Sequence, residues 1–232
     1  MGKIKISEKL QLGFQTKEAF KSLRTNIQFC GSDIKVIGLT SCTPGEGKSS
    51  VSMHLAHTLA ESGKKVIFID ADLRKSVIMG RYQVEGKIFG LTIYLSGMVD
   101  QKDIINKTDV ENLDMVFAGP VPPNPSELLG SSKFEELIEK LRNDYDYVII
   151  DTPPIGSVID GAVVAKSCDG MVMIVQQKVI SYRFAQHMKK QLQRSNCKIL
   201  GVVLNKVEFN GSSPYGKYYG KYYSKYYENE VK

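Results

Sequence analysis

The stretch IKVIGLTSCTPGEGKSSVSMHLAHTLAE, residues 34–61, decides the fold of this chain. Residues 34–39 form a short apolar run that predicts a strand, and residues 48–61 carry apolar side chains at helical spacing. A glycine-rich turn that ends in Gly47, Lys48 and Ser49 joins the two segments. A turn of this kind between a strand and a helix is the pattern of a phosphate-binding P-loop.

The residue types of this loop suit a nucleoside triphosphate. Gly45 and Gly47 let the backbone curl so that its N–H groups face an anion, and the start of the helix adds partial positive charge. We expect Lys48 to bridge the β- and γ-phosphates of ATP and the Ser49 hydroxyl to ligate Mg²⁺. Cys42 replaces the first glycine of the usual motif, so the loop is a deviant P-loop. The loop residues predicted to contact the nucleotide are Thr43, Pro44, Gly45, Glu46, Gly47, Lys48, Ser49 and Ser50.

The rest of the chain alternates apolar runs with helix-like segments. Runs that are apolar throughout, rather than alternating, suit strands covered by helices on both faces of a parallel sheet. We therefore predict a doubly wound, mostly parallel α/β P-loop domain over residues 30–209, after an N-terminal segment 1–29 and before a tail 210–232. Predicted strands are residues 34–39, 66–69, 113–118, 147–150, 171–175 and 199–204; predicted helices are residues 17–29, 48–61, 134–141 and 182–193.

Acidic side chains directly follow two of the predicted strands. Asp70 and Asp72 come after the strand 66–69, and Asp151 comes after the strand 147–150. An isolated aspartate at such a position is more often a turn or helix-capping residue. Beside a P-loop, however, a carboxylate at a neighbouring strand end suits the hard Mg²⁺ ion or its waters. Ser49, Asp70, Asp72 and Asp151 are therefore candidates to hold the ion.

Composition limits the remaining possibilities. The 232 residues are 42% hydrophobic and 24% charged, which is typical of a globular protein, and no apolar run reaches the ~18 residues of a membrane span. We expect a cytoplasmic chain. The four cysteines have no CxxC spacing, which disfavours a zinc site or a disulfide framework. The net charge of +6 is modest and is not concentrated in a dense basic block, so no nucleic-acid partner is expected.

Several segments together resemble one family, the bacterial tyrosine kinases of capsular and exopolysaccharide synthesis. The deviant P-loop matches the Walker A element of this family, Ile-Asp70-Ala-Asp72-Leu-Arg74 its Walker A′, and Ile-Ile-Asp151-Thr-Pro-Pro its Walker B. The resemblance extends to residues 18–26, 119–129 and 200–206 and to a terminal tyrosine cluster. The lack of membrane spans resembles the form in which the kinase and its transmembrane activator are separate chains.

The resemblance implies an ATP-dependent protein-tyrosine kinase that phosphorylates the tyrosine tail of neighbouring copies. It implies that Asp70 and Asp72 lie near the γ-phosphate and the metal, with Asp70 orienting or deprotonating the acceptor hydroxyl, and that Lys48 and Asp151 complete the catalytic set. The implied metal ligands are Ser49, Asp72 and Asp151. Asn205 lies where this fold class contacts adenine. The implied phosphoacceptors are Tyr215, Tyr218, Tyr219, Tyr222, Tyr223, Tyr226 and Tyr227, seven of the 12 tyrosines.

The resemblance also implies partners. The family pattern Glu-x-x-Arg-x-x-Arg mediates ring-like self-association, and Glu18, Lys21 and Arg24 occupy its positions here, with Lys21 in place of the first arginine. A transmembrane activator, the polysaccharide co-polymerase, is expected to recruit the kinase to the inner face of the cell membrane. A tyrosine phosphatase is expected to reverse the modification.

Two other functions remain open from the residues alone. A partitioning-type P-loop ATPase would be expected to carry a signature lysine where Thr43 stands, and a basic or amphipathic C-terminal helix. A nucleotide-gated scaffold would be favoured by the loss of a P-loop or carboxylate residue, but all of them are present. The tail itself, which we expect to be flexible, has the alternative role of an aromatic segment that stacks on RNA.

Overall fold

A seven-stranded sheet forms the centre of the protein. The computed structural model describes residues 4–82, 84 and 88–207. The strand order is β3-β4-β2-β5-β1-β6-β7, and every neighbouring pair is parallel except β3 and β4. This arrangement confirms the predicted doubly wound, mostly parallel α/β fold. The strands are β1 (Val36–Ser41), β2 (Val66–Asp70), β3 (Asn106–Lys107), β4 (Leu113–Val116), β5 (Tyr147–Asp151), β6 (Gly170–Gln176) and β7 (Ile199–Asn205).

Helices cover both faces of the sheet and connect its strands. In the described residues they are α1 (Phe14–Gln28), α2 (Lys48–Glu61), α3 (Ile78–Arg81), α4 (Leu91–Leu95), α5 (Gln101–Ile104), α6 (Pro125–Leu129), α7 (Ser132–Asp144), α8 (Asp160–Val164) and α9 (Tyr182–Gln193), with single 3₁₀ turns at Ser7–Leu10 and Ala165–Ser167. None of these helices is long and apolar enough to cross a membrane.

The central strands are buried because helices pack on each side of them. All residues of β1, β2 and β4 are buried, which explains why these strands lack the alternation of a half-exposed sheet. One side of the sheet packs against α2, and the other packs against the apolar face of α7, formed by Phe134, Leu137, Ile138 and Leu141. Each fully buried leucine or isoleucine contributes about 1.5–3 kcal/mol to stability.

The N-terminal segment belongs to the same core. Ile6, Leu10 and Ile27 are at most 3% exposed and pack in the cluster beneath α2. The backbone N–H of Ile6 also donates to Asp109, on the loop after β3, at 2.8 Å. Residues 4–28 are therefore part of the fold, and a role for this segment in self-association stays a prediction.

Short elements account for most differences from the sequence prediction. The antiparallel strand β3 has two residues, and α3, α4, α5 and α8 have four or five residues each, too few to show a periodic pattern. The helix predicted for residues 134–141 starts earlier, because the Ser131 hydroxyl caps it by accepting from the Phe134 N–H. The helix bounds 48–61 and 182–193 match those of α2 and α9.

Candidate active site

The P-loop lies between β1 and α2, and its backbone depends on two glycines. Gly45 and Gly47 have φ angles of 84° and 88°, in the left-handed region that glycine tolerates best. A Cβ atom on Gly47 would lie 2.3 Å from Nδ2 of Asn205, so this position also excludes a side chain on steric grounds. Helix α2 begins at Lys48, and its N-terminus therefore opens onto the loop.

Polar side chains from two other strand ends hold the loop in place. Asn205, the last residue of β7, donates from Nδ2 to the Glu46 carbonyl at 2.8 Å. Lys206 donates from Nζ to the Gly45 carbonyl at 2.7 Å and to Oε1 of Gln176 at 2.9 Å. The Glu46 side chain is only 1% exposed and accepts from the backbone N–H of Thr43 at 2.8 Å and of Gln176 at 3.2 Å. Asn205 and Glu46, both predicted to contact nucleotide, thus also shape the loop.

Cys42, at the position of the missing glycine, points into the core. Its side chain is fully buried, with Sγ 3.8 Å from Sδ of Met173. Burial, followed by the negative charge of Glu46, raises the pKa of the thiol to about 12. Cys42 therefore stays a neutral, apolar packing residue at physiological pH, and the deviation from the usual motif does not add a reactive group to the loop.

Lys48 forms a buried ion pair with Asp151. The distance from Nζ to Oδ2 of Asp151 is 2.9 Å, and the two side chains are 7% and 1% exposed. Within the described residues, this oxygen has the ion pair but no hydrogen-bond donor. The other carboxylate oxygen accepts from the Ser52 hydroxyl at 2.9 Å, and Lys48 also donates to Oγ of Ser49 at 3.2 Å. The structure thus brings together the lysine, the serine and the aspartate that the sequence predicted.

Asp70 lies beside Asp151 in the sheet and is completely buried. The two residues are register partners at the carboxyl ends of β2 and β5. Oδ1 of Asp70 accepts from the backbone N–H of Asp72 at 3.2 Å, and Oδ2 accepts from the Ser76 hydroxyl. Burial, followed by repulsion from Asp151, raises the pKa of Asp70 to about 7. Asp72 is only partly buried, so it is the more accessible of the two carboxylates.

This raised pKa predicts how stability depends on pH. The folded pKa of Asp70 is about 7, against an ordinary value of 3.8, so the folded state binds this proton more tightly than the unfolded state does. The contribution to stability is complete below pH ~4 and is lost as the pH rises towards about 7. Asparagine does not titrate, so the free energy of unfolding of Asp70→Asn, measured in urea, should rise relative to that of the wild type as the pH increases from ~4 to about 7.

The comparison needs a control for the loss of one negative charge. Asp144→Asn, at an exposed position at the end of α7, removes such a charge far from the site. A stability difference between Asp70→Asn and the wild type that stays constant from pH 4.5 to pH 8 would contradict the prediction.

Arg74 connects the loop after Asp72 to helices α6 and α8. Arg74 donates from Nε and Nη2 to both oxygens of the buried Asp160, at 2.7 and 3.0 Å, and from Nη2 to Oγ of Ser126 at 3.1 Å. Arg74 is therefore a fixed ion-pair partner rather than a freely solvated side chain. Arg81, at the end of α3, donates from Nη1 to Oγ of Ser50 at 2.8 Å and lies over the first turn of α2.

Several of these contacts were not predicted from the sequence. Ser52 lies four residues after Lys48 on the same helix, so helical spacing could have placed it on the same face. Ser76, Arg81, Gln176 and Lys206 have no comparable signal, because each comes from a loop or an element end that only the fold brings to the site.

The predicted self-association residues are engaged within the chain. Lys21 donates to Glu18 at 2.6 Å, one turn earlier on α1, and Arg24 donates to the Thr58 carbonyl on α2 at 3.2 Å. All three side chains are intermediate in exposure. The seven predicted phosphoacceptor tyrosines, Tyr215 to Tyr227, lie outside the described residues.

Three comparisons with known proteins identify the family of this chain. A family described as an AAA domain matches residues 34–199. Tyrosine-protein kinase CpsD of Streptococcus agalactiae is 46% identical over 213 residues, which are 92% of this chain and 93% of that protein. The kinase domain of the Escherichia coli tyrosine kinase ETK matches with a TM-score of 0.77 and 32% identity, over 86% of this chain and 80% of that one.

A more distant structure shares the fold alone. The septum site-determining protein MinD of Pyrococcus horikoshii, solved with Mg-ADP, has a TM-score of 0.65 and 24% identity, over 76% of this chain and 72% of that one. The nearer relatives confirm the family predicted from the sequence. Because an AAA domain family matches most of the chain, and a tyrosine-protein kinase is 46% identical over 92% of it, this chain belongs to the bacterial protein-tyrosine kinases of capsular and exopolysaccharide synthesis.

Proposed function

We propose that this kinase transfers the γ-phosphoryl group of ATP to the tyrosines of residues 215–227 on a neighbouring copy and thereby regulates polysaccharide synthesis and export. The observation that carries the proposal is the buried group of Lys48, Asp151 and Asp70 beside the P-loop, at the ends of neighbouring elements. The end of β7 contacts the same loop through Lys206, and the acceptor tyrosines follow Lys206 by 9 to 21 residues in the sequence.

In this proposal the P-loop holds the nucleotide. Backbone N–H groups from Gly45 to Ser50 receive the phosphates, and Asn205 borders the adenine. Lys48 exchanges its partner Asp151 for the β- and γ-phosphate oxygens when ATP binds. Asp151 keeps its hydrogen bond from Ser52, so its carboxylate stays in position after the exchange.

The oxygen-donor groups fit a magnesium ion that arrives with the nucleotide. In the part of the chain that the structure describes, no donor forms a hydrogen bond with Oδ2 of Asp151; Asp72 is partly exposed, and the Ser49 hydroxyl adjoins Lys48. Among the described residues no three His, Cys, Asp or Glu side chains form a metal site by themselves, which suits an ion that also uses phosphate oxygens. When bound, Mg²⁺ neutralises charge on the transferring phosphoryl group.

The chemical step needs positioning more than a strong base. The phenol oxygen bonds to the γ-phosphorus, the bond from phosphorus to the ADP oxygen breaks, and the phenol proton leaves towards Asp70. Because the transition state of phosphoryl transfer is loose, the nucleophile needs little activation, and the alignment of acceptor and phosphate dominates the rate.

Phosphorylation would change the tail from cationic to strongly anionic. Residues 211–232 carry four lysines and two glutamates, a net charge of +2. Each phosphotyrosine adds about −1.5 to −2 charges, so seven of them bring the tail to about −9 or below. In the proposed cycle the subunits are held together through Glu18, Lys21 and Arg24, and the added negative charge releases the tail of one subunit from its neighbour. A tyrosine phosphatase then removes the phosphates and restores the cationic tail. A transmembrane activator places the ring at the inner face of the membrane.

The experiment follows the phosphates directly. The purified chain is incubated with ATP and Mg²⁺ and weighed by intact-protein mass spectrometry, beside a variant with all seven tail tyrosines changed to phenylalanine. We expect several added phosphates on the wild type and none on the sevenfold variant, because the acceptors lie in residues 215–227. A peptide from the cytoplasmic end of the candidate activator is included in a parallel sample.

Mixing distinguishes transfer between copies from transfer within one copy. The sevenfold tyrosine variant retains the site, and Lys48→Met retains the tail, so phosphate on the Lys48→Met chain in the mixture shows transfer between subunits. Transfer between subunits is contradicted if Lys48→Met stays unmodified in this mixture, while the wild type alone is phosphorylated at a rate that does not depend on protein concentration. Steady ATP hydrolysis without tyrosine modification, even with the activator peptide, would favour a partitioning-type ATPase.

A further inference from the structure

The Ser76 hydroxyl connects the buried Asp70 to the exposed rim of the site. Ser76 lies on the loop between β2 and α3 and is itself exposed, whereas Asp70 is 0% exposed. The hydrogen bond from Oγ of Ser76 to Oδ2 of Asp70 therefore connects this buried carboxylate to an exposed side chain. A substrate hydroxyl that approaches the rim meets Ser76 before it meets Asp70.

The hydrogen-bond inventory shows what Ser76 offers to a ligand. A serine hydroxyl has one donor hydrogen and two acceptor lone pairs. The hydrogen is committed to Asp70, and one lone pair accepts from the Ile78 N–H at 3.3 Å, at the start of α3. The remaining lone pair can only accept a hydrogen bond. Ser76 therefore presents an oriented acceptor, which suits a group that donates, such as the O–H of a tyrosine.

A row of polar side chains on adjacent strand ends leads from the P-loop to Ser76, and its two carboxylates, Asp151 and Asp70, are neighbours that repel each other. Lys48 is paired with Asp151 at 2.9 Å, Asp151 is the register partner of Asp70, and Asp70 accepts from Ser76. The second oxygen of Asp70 is fixed by the Asp72 N–H at 3.2 Å, so the carboxylate cannot turn to reach the rim without losing bonds. A direct contact between Asp70 and an acceptor tyrosine would thus require this network to break.

We propose that Ser76 is a catalytic residue that receives the hydroxyl of the acceptor tyrosine and links it to Asp70. This inference rests on the proposed function above and assigns a residue to its acceptor side. The oxygen of Ser76 accepts the phenol O–H and directs a phenol lone pair towards the γ-phosphorus. As the new P–O bond forms and the bond to ADP breaks, the phenol proton passes to Oγ of Ser76 and the Ser76 proton passes to Oδ2 of Asp70.

The test compares Ser76→Ala and Ser76→Thr in the full-length kinase, with a synthetic peptide of residues 210–232 as acceptor. Ser76→Ala should lower kcat for phosphate transfer about 100-fold, near the low end for general acid–base groups, because no hydroxyl remains to receive the tyrosine. The dissociation constant for ATP should stay within about 2-fold, since the P-loop is untouched. Ser76→Thr keeps the hydroxyl and should recover kcat to within about 5-fold of the wild type.

A capping control separates this role from simple support of the loop. Ser131→Ala removes a serine hydroxyl that accepts the Phe134 N–H at the start of α7, much as Ser76 accepts the Ile78 N–H, without touching Asp70. Its kcat should match that of the wild type. If Ser76→Ala keeps wild-type kcat, or loses ATP affinity in proportion to kcat, or is not rescued by threonine, the proposal is wrong.

The same assay keeps this inference separate from the proposed function. Lys48→Met tests whether the P-loop site performs the transfer at all. If Lys48→Met is inactive and Ser76→Ala is fully active, the kinase function stands and the role of Ser76 is refuted. If Lys48→Met transfers phosphate as well as the wild type does, the proposed function itself fails.

Discussion

Replacing Lys48 by methionine is expected to lower tyrosine phosphorylation at least ~10³-fold, which corresponds to about 4 kcal/mol of transition-state stabilisation. Methionine keeps the length and apolar body of the side chain but removes the ammonium group that would contact the β- and γ-phosphates. Asp151 retains its hydrogen bond from Ser52 but loses its countercharge, so the free energy of unfolding of the variant is measured beside its activity. Single-turnover transfer from labelled ATP to the tail measures the effect.

A lysine outside the P-loop provides the matched control. Lys133 lies at the start of α7 with its ammonium 4.8 Å from the ring centre of Tyr94, on a different part of the molecule. Lys133→Met should therefore transfer phosphate at the wild-type rate. Equal losses in the two variants would mean that the effect of Lys48→Met is a general consequence of losing a lysine, and it would argue against the phosphate-binding role.

Replacing Asp151 by alanine is expected to cost about 3–5 kcal/mol of folding stability as well as activity, because it removes one partner of a buried ion pair. The Lys48 ammonium, whose side chain is 7% exposed, would be left without a countercharge in a closed environment. The Ser52 hydroxyl would lose its acceptor on β5 at the same time. Urea unfolding of the nucleotide-free protein measures the free energy of unfolding directly.

A double-mutant cycle distinguishes the ion pair from other effects of the substitution. If the pair is the cause, Lys48→Met combined with Asp151→Ala should lose less stability than the sum of the two single changes, because no unpaired charge remains. Additive losses within about 0.5 kcal/mol would show that the two side chains do not interact energetically. Asp146→Ala, at an exposed position before β5, controls for the loss of a carboxylate near the same strand.

The local pattern was sufficient for the larger elements and for the P-loop. Helix α2 follows its predicted bounds because glycines end the preceding loop and apolar residues recur at helical spacing until Ser62. The all-apolar runs correctly indicated a parallel sheet, since strands covered on both faces have no exposed side to make polar. The placement of Asp70 beside Asp151 follows from the same logic, because carboxyl ends of parallel strands meet at one edge.

Site residues that lie on loops or at element ends have no periodic sequence signal, so the sequence pattern could not predict them. Ser76 lies on a loop, Arg81 ends a four-residue helix, and Gln176 and Lys206 come from strand ends about 130 and 160 residues away from Glu46 and Gly45 in the chain. Their contacts depend on the order of strands in the sheet. A hydrophobic period describes which face of an element is buried, but it contains no information about which distant loop will lie against that face.

The sequence by itself determined the fold class, the family, the nucleotide loop and the carboxylates that face it, because each depends on residue types at fixed spacing along a few consecutive elements. Only the tertiary structure decided how these groups are connected. Lys48 is paired with Asp151 in a closed site, Asp70 is fully buried, and the hydroxyl of the exposed Ser76 is hydrogen-bonded to Asp70. The physical reason is that burial and hydrogen bonding are properties of the packed molecule. A side chain acquires its partners only when strands and loops that are remote in sequence come within about 3 Å of one another.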